Sequence, residues 1–176
     1  MKLLIIGAGG HGKCCAEIAI RMNKFDEISF IDDNSTEAIG KIYELDKFLE
    51  DYRYAFIAIG NNRLREKLSK TIKKLGYKIV NLIDPLSFVS ETTVIGEGCV
   101  FFPFSVVESD TKLGDGVVLC ANSVINHNAM IDSYSLIYSN STIRPNAHLG
   151  KRVKIGSNYV VKFGEDINDD RELGEI

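Results

Sequence analysis

No apolar run in the sequence approaches the length of a membrane span, and the opening Met1-Lys2-Leu3-Leu4-Ile5-Ile6 turns glycine-rich too soon to be a signal peptide. A cytoplasmic protein without a membrane partner is expected. There is no C-x-x-C pair among Cys14, Cys15, Cys99 and Cys120, and none has a histidine at zinc-site spacing. Reduced structural thiols follow, with no metal site expected. Nor is there an excess of one charge: a formal net charge of −3 gives no general attraction to nucleic acid. What is present is an ordinary globular balance, 45% hydrophobic and 26% charged, in 176 residues that suffice for one large domain or two small ones.

The strongest signal is a period of six. Stepping from Ile83 gives Val89, Ile95, Phe101, Val107, Leu113, Leu119, Ile125, Ile131, Ile137, Ile143, Leu149, Ile155, Val161, Ile167 and Leu173, a large apolar residue every time. At the chain's overall hydrophobic content, chance would produce this run about three times in a million. Four residues after most of these positions stands a small or β-branched one, among them Cys99, Ser105, Thr111, Ser123, Ala129, Ser135, Ser141 and Ala147. Six is neither the helical 3.6 nor the strand period of 2. It fits a solenoid in which a short strand turns and repeats, large residues filling the interior and each coil pairing with the next. Gly96, Gly114, Asp132, Gly150 and Gly156 follow apolar positions and are expected where the backbone bends.

Before Ile83 the pattern is different. Apolar strands at 3–6, 28–31, 54–59 and 78–82 alternate with helices through Cys15–Arg21 and Leu64–Leu75, and a short helix is expected over 44–50. This alternation predicts βαβ units and a parallel sheet. The domains are therefore 1–82 and 83–176. Gly7, Gly9 and Gly12 form G-x-G-x-x-G between a strand and a helix, where free N–H groups can receive a phosphate. The same spacing also serves a tight turn with no ligand. Three strand ends, Gly10-His11-Gly12, Asp32-Asp33 and Gly60-Asn61-Asn62, are expected to face one crevice beyond the carboxyl edge of the sheet. A nucleotide-sugar suits so small a sheet better than a nicotinamide dinucleotide does.

The order of a Gly-His-Gly loop, Asp-Asp, Gly-Asn-Asn-x-x-Arg and then hexapeptides resembles the bacterial sugar O- and N-acyltransferases of sialic-acid and UDP-4-amino-sugar (bacillosamine-type) pathways. The resemblance spans nearly the whole chain. It implies a left-handed β-helix, a homotrimer, acetyl-CoA as co-substrate between neighbouring β-helices, and a UDP-sugar or related sugar on the N-terminal domain. By position, Gly10, His11, Gly12, Asp32, Asp33, Gly60, Asn61, Asn62 and Arg65 would bind the nucleotide-sugar. His127, in Ser123-Val124-Ile125-Asn126-His127-Asn128-Ala129, matches the family's catalytic base. A neutral imidazole there could take the proton of an attacking amine or hydroxyl. His148 reads as a surface-turn residue and His11 as a binding residue.

The resemblance also has departures. The family normally carries an acidic residue after the histidine, where this chain has Asn128, and often a second histidine contacting the cofactor, where it has Leu136. Leu136 and Ser157 are the positions matched to the acetyl-CoA site. The run from 164 to 176 is acidic and lacks the relatives' final glycine- and alanine-rich coil, so weak or absent acetyl-CoA binding is expected, with Lys151, Arg152, Lys154 and Lys162 as the opposing attraction. The implied activity is acetyl transfer from acetyl-CoA to an amino or hydroxyl group of a sugar. The alternative is a non-catalytic nucleotide-sugar binder descended from such an enzyme.

Overall fold

Leu3, Leu4, Ile5 and Ile6 are all fully buried, as four consecutive apolar residues require of a strand covered on both faces. In the computed structural model, which describes residues 1–176, they belong to β1 (Lys2–Ile6), an interior strand of a parallel sheet. The chain divides into two compact units, Met1–Leu82 and Ile83–Ile176. In the first, β1, α1 (Gly10–Arg21), β2 (Glu27–Ile31), β3 (Tyr54–Ile57), α2 (Asn62–Leu75) and β4 (Lys78–Ile79) give the sheet order β2-β1-β3-β4. Every pairing is parallel, so each return needs a crossover segment. The crossover from β2 to β3 is a 3₁₀ helix, Ile42–Phe48, where a short helix over 44–50 was expected; Leu45 is its buried residue. Gly76 ends α2 in the left-handed region (φ 102°), and its N–H reaches the Ile72 and Lys73 carbonyls.

β1 and β2 each begin one residue earlier than expected, at Lys2 and Glu27, and the other two strands end earlier. β3 ends at Ile57 rather than Ile59, although Ala58 N–H still bonds the Ile6 carbonyl. β4 covers only Lys78–Ile79, because Leu82–Ile83 pairs instead in the six-stranded sheet of the solenoid.

The second unit is a parallel β-solenoid with three sheets of five, six and five two-residue strands, about five coils. This is the architecture of a hexapeptide-repeat β-helix, consistent with the left-handed form. Val94, Lys112, Met130 and His148 pair in one column, so a coil is 18 residues, or three hexads. The six-step residues from Phe101 to Ile167 form one continuous apolar core. The small register lies within the coils, and its hydroxyls donate to backbone carbonyls: Ser123 to Cys120 (2.8 Å), Ser135 to Gly150 (2.9 Å), Ser141 to Gly156 (2.6 Å). No buried side-chain nitrogen or oxygen lacks a partner.

The corners turn somewhere other than expected. Gly96, Gly114, Gly150 and Gly156 are not in the left-handed region. They are glycines because the coils stack too closely for a side chain: a Cβ on Gly96 or Gly114 would lie 2.6 Å from the backbone nitrogen of Asp115 or Ser133. The bend falls two residues later in the hexad. Gly98, Asp110, Gly116, Asn122, Asn128, Asn140, Asn146, Asn158, Gly164 and Asp170 all have φ near +60°, with Phe104, Tyr134 and Arg152 in the same position. Asparagine, aspartate and glycine are the residues that tolerate this conformation.

The acidic terminal run is itself a stacked coil. Arg152 holds both carboxylate oxygens of Asp170 (2.7 and 2.9 Å), Lys154 pairs with Glu172 (2.6 Å), and Lys151 N–H donates to Asp169 (2.8 Å). Two of the basic side chains expected to attract a polyanion are therefore already paired.

Candidate functional site

In the first unit, the glycine loop joins β1 to α1. Gly7 has φ +108°, and a Cβ there would sit 2.6 Å from the Ala58 carbonyl oxygen. A Cβ on Gly12 would meet the Gly7 oxygen at 2.0 Å. These two glycines are demanded by the packing of the chain on itself. Gly9 and Gly10 are different: they are exposed, with nothing within 4 Å of where a Cβ would be. Gly9 is the N-cap of α1 and no side chain caps it, so the helix N-terminus is open to an anion.

Asp32 ties this loop to the end of β2. Its carboxylate accepts N–H bonds from Ala8 (2.9 Å), Asn34 (2.7 Å) and Ser35 (2.9 Å). Those backbone bonds, Ala8's first, hold its pKa below the usual carboxylate range. Exposed Asp33 accepts the Ile42 N–H (2.9 Å), and its carbonyl accepts Lys41 Nζ (2.7 Å).

The third strand-end loop is built from behind. Gly60 and Asn61 are exposed, and Asn61 Oδ1 caps α2 by accepting Leu64 N–H (2.9 Å). Asn62 is buried, and Arg65 is 1% exposed. The Arg65 guanidinium donates to the Ile59 carbonyl (2.8 Å) and to Asn62 Oδ1 (2.9 Å). Asn62 and Arg65, expected at the ligand, thus brace the loop that presents Gly60 and Asn61. Half-buried His11 follows Gly10 on α1, with Nε2 3.8 Å from Cys15 Sγ. Burial, and secondarily the charge of Arg65, depress its pKa to about 4, so the ring is neutral near pH 7.

In the second unit, His127 is exposed at a coil corner, two residues after the inward Ile125. Its Nδ1 lies 2.9 Å from Asn128 Oδ1. An amide oxygen only accepts, so Nδ1 is the donor, and in the neutral ring the lone pair lies on Nε2. Asn128, in the left-handed region (φ 61°), donates its N–H to the Ser109 carbonyl (3.0 Å). Sequence reasoning missed Glu108, one coil below, whose Oε2 accepts the His127 N–H at 2.9 Å.

His148 is placed otherwise. Its Nδ1 is 3.0 Å from Asp166 Oδ1 and its Nε2 3.4 Å from Asp132 Oδ2, so neither ring nitrogen faces open solvent alone. No cluster of histidine, cysteine or acidic residues is arranged to hold a metal ion. Of the positions matched to the cofactor, Leu136 is buried and Ser157 is exposed.

Residues 2–72 match the family model described as PglD N-terminal domain, and residues 92–127 match bacterial transferase hexapeptide (six repeats). The acetyltransferase domain of PglB from Neisseria gonorrhoeae FA1090 superposes with a TM-score of 0.92 at 31% identity, over 96% of this chain and 85% of that one. The chain belongs to the hexapeptide-repeat sugar acyltransferase family. A curated family relative, UDP-N-acetylbacillosamine N-acetyltransferase of Bacillus subtilis (strain 168), is 31% identical over 109 residues, which is 56% of this chain and 50% of that protein. The chain spans half or less of the length of the curated relatives it matches. A mutant GDP-perosamine N-acetyl transferase from Caulobacter crescentus, solved with CoA and GDP-perosamine, shares the fold at a TM-score of 0.82 and 23% identity, over 98% of this chain and 92% of that one. The Neisseria domain has also been solved with acetyl coenzyme A. No helix here is long and apolar enough to cross a membrane.

Proposed function

We propose that the protein transfers an acetyl group from acetyl-CoA to an amino or hydroxyl group of a nucleotide-linked sugar. The observation that carries this reading is His127, exposed at a coil corner with Nδ1 fixed by Asn128 and Nε2 free to accept a proton. Acetyl-CoA supplies the acyl group as a thioester. His127 takes the proton of the attacking nitrogen or oxygen as the new bond forms, and returns it to the departing thiolate. The exposed N–H groups at Gly9 and Gly10, with Asp33, Gly60 and Asn61, hold the nucleotide-sugar; Asp32, Asn62 and Arg65 fix the loops that present them. Relatives carrying acetyl-CoA, CoA or GDP-perosamine support both halves of the reading. A cytoplasmic site of action, where the thiols of Cys14, Cys15, Cys99 and Cys120 stay reduced, belongs to the same proposal.

Calorimetry with UDP- and GDP-linked amino sugars tests the first unit. Binding is expected, weakened about tenfold in Asp32→Ala, which leaves the Ala8, Asn34 and Ser35 N–H groups without their acceptor, and in Asn62→Ala, which removes an acceptor of the buried Arg65 guanidinium. A wild-type chain that binds none of these compounds would remove the nucleotide-sugar assignment.

The assembly proposed is a homotrimer. One sheet of the solenoid turns Phe88, Val106, Val124, Thr142 and Val160 outward in a column, with Phe88 60% and Val160 52% exposed. A largely apolar column of this kind, interrupted by Thr142, is what a subunit interface covers. The strand Val124–Ile125 that leads to His127 lies in this sheet. Sedimentation equilibrium should give three chains per particle, and a stable monomer at micromolar concentration would contradict the assignment.

A further inference from the structure

We propose that Glu108 is a positioning residue for His127, acting through the backbone from which the imidazole projects. The inference rests on His127 being the base. Its motive is the hydrogen-bond pattern of the corner. Three consecutive N–H groups leave it, one to the coil above and two to the coil below. Asn126 N–H reaches the Ile143 carbonyl in the coil above (2.9 Å), and Asn128 N–H reaches the Ser109 carbonyl in the coil below (3.0 Å). The His127 N–H lies between these two ladder bonds and takes a side-chain acceptor, Glu108 Oε2, at 2.9 Å. One coil higher the equivalent residue is Pro145, which has no N–H to satisfy.

Glu108 is itself well anchored. It follows the inward Val107, its N–H donates to the Ile125 carbonyl (2.9 Å), and its carbonyl accepts Thr111 Oγ1 (2.8 Å). The carboxylate therefore reaches His127 from a fixed backbone rather than from a mobile loop. The family's usual acidic neighbour is replaced here by Asn128, which sets the ring tautomer but carries no charge. Orientation of the imidazole then depends on two bonds: Asn128 on the ring, and Glu108 on the main chain. Losing the second leaves the Asn126–His127 peptide held by the two long bonds that the Asn126 carbonyl accepts from Ala129 N–H (3.3 Å) and Thr111 Oγ1 (3.4 Å), and displacements of about 1 Å in a catalytic group cost up to about a hundredfold in rate.

The test compares Glu108→Ala with Glu108→Gln. Glutamine keeps an acceptor oxygen at the same reach and loses only the charge. The expected result is that E108A lowers kcat roughly ten- to a hundredfold with KM for both substrates and Tm little changed, whereas E108Q stays within about threefold of wild type. In parallel, nitrogen NMR of the His127 ring should show one Nδ1–H tautomer in wild type and E108Q, and averaged tautomers in E108A. Unchanged ring signals in E108A would overturn the proposal, as would E108Q falling as far as E108A. The ring measurement needs no turnover. A wild-type chain inactive on every sugar would count against the acetyltransferase reading, while the tautomer comparison would still decide the role of Glu108.

Discussion

Replacing His127 with alanine should lower acetyl transfer by about a hundred- to ten-thousand-fold, the range that general-base assistance supplies. The fold should survive, because the side chain is exposed and its one ring bond is to its neighbour Asn128. Nucleotide-sugar binding should also survive, since the strand-end loops belong to the other unit. Asn128→Asp sharpens the test. Aspartate accepts the same Nδ1–H bond, tolerates the left-handed backbone at this corner, and adds a charge that favours the imidazolium formed during proton transfer. A bond of that kind is worth about 1 kcal/mol more than a neutral one, or roughly fivefold in rate. Single-turnover transfer in both variants checks this. Unchanged turnover in His127→Ala would end the assignment of this residue.

The second large effect is on stability in acid. His11 titrates near 4 in the folded chain, against 6.5 for an unperturbed histidine, because burial and then Arg65 disfavour its charged form. Between those values the unfolded chain binds a proton that the folded chain refuses. The stabilisation of neutral His11 is therefore fully present above about pH 6.5 and is lost as pH falls toward 4. A shift of this size corresponds to about 3 kcal/mol. Asp32 acts in the same direction at still lower pH, since its depressed pKa means its bonds to Ala8, Asn34 and Ser35 are lost on protonation. Urea unfolding followed from pH 7 to 4 should show the loss in wild type and a flatter profile in His11→Asn. Parallel profiles for the two proteins would show that His11 is not the group responsible.

How much of this was legible in the sequence depended on whether the signal was local. The six-residue period and the strand–helix alternation before it are repeated many times, so the division of architectures near residue 82 could be read directly. The turn signal was equally visible but lay at another place in the hexad. Asparagine recurs at 122, 128, 140, 146 and 158 because the corner needs a left-handed backbone, whereas the glycines at 96, 114, 150 and 156 mark crowding between coils. Asn128 is thus both a corner residue and the partner of the His127 ring, and its place in the repeat accounts for the first role. Asn62 and Arg65 were recognisable as positions of the Gly-Asn-Asn-x-x-Arg motif, three residues apart. Their burial was not recognisable, since arginine is ordinarily a surface residue and it is acceptors such as the Ile59 and Gly60 carbonyls and Asn62 Oδ1 that make a buried guanidinium tolerable here. Glu108 was invisible for a different reason. It lies 19 residues before His127, and only the 18-residue coil brings the two together.

The most direct test of the account is release of free thiol from acetyl-CoA by the wild-type chain in the presence of UDP- and GDP-linked amino sugars. Release should depend on one of these sugars, appear with the acetylated sugar in equal amount, and disappear in His127→Ala. Saturable binding of a nucleotide-sugar with no thiol release at any acetyl-CoA concentration would contradict it, and would identify the protein instead as a nucleotide-sugar binder built on an acyltransferase fold.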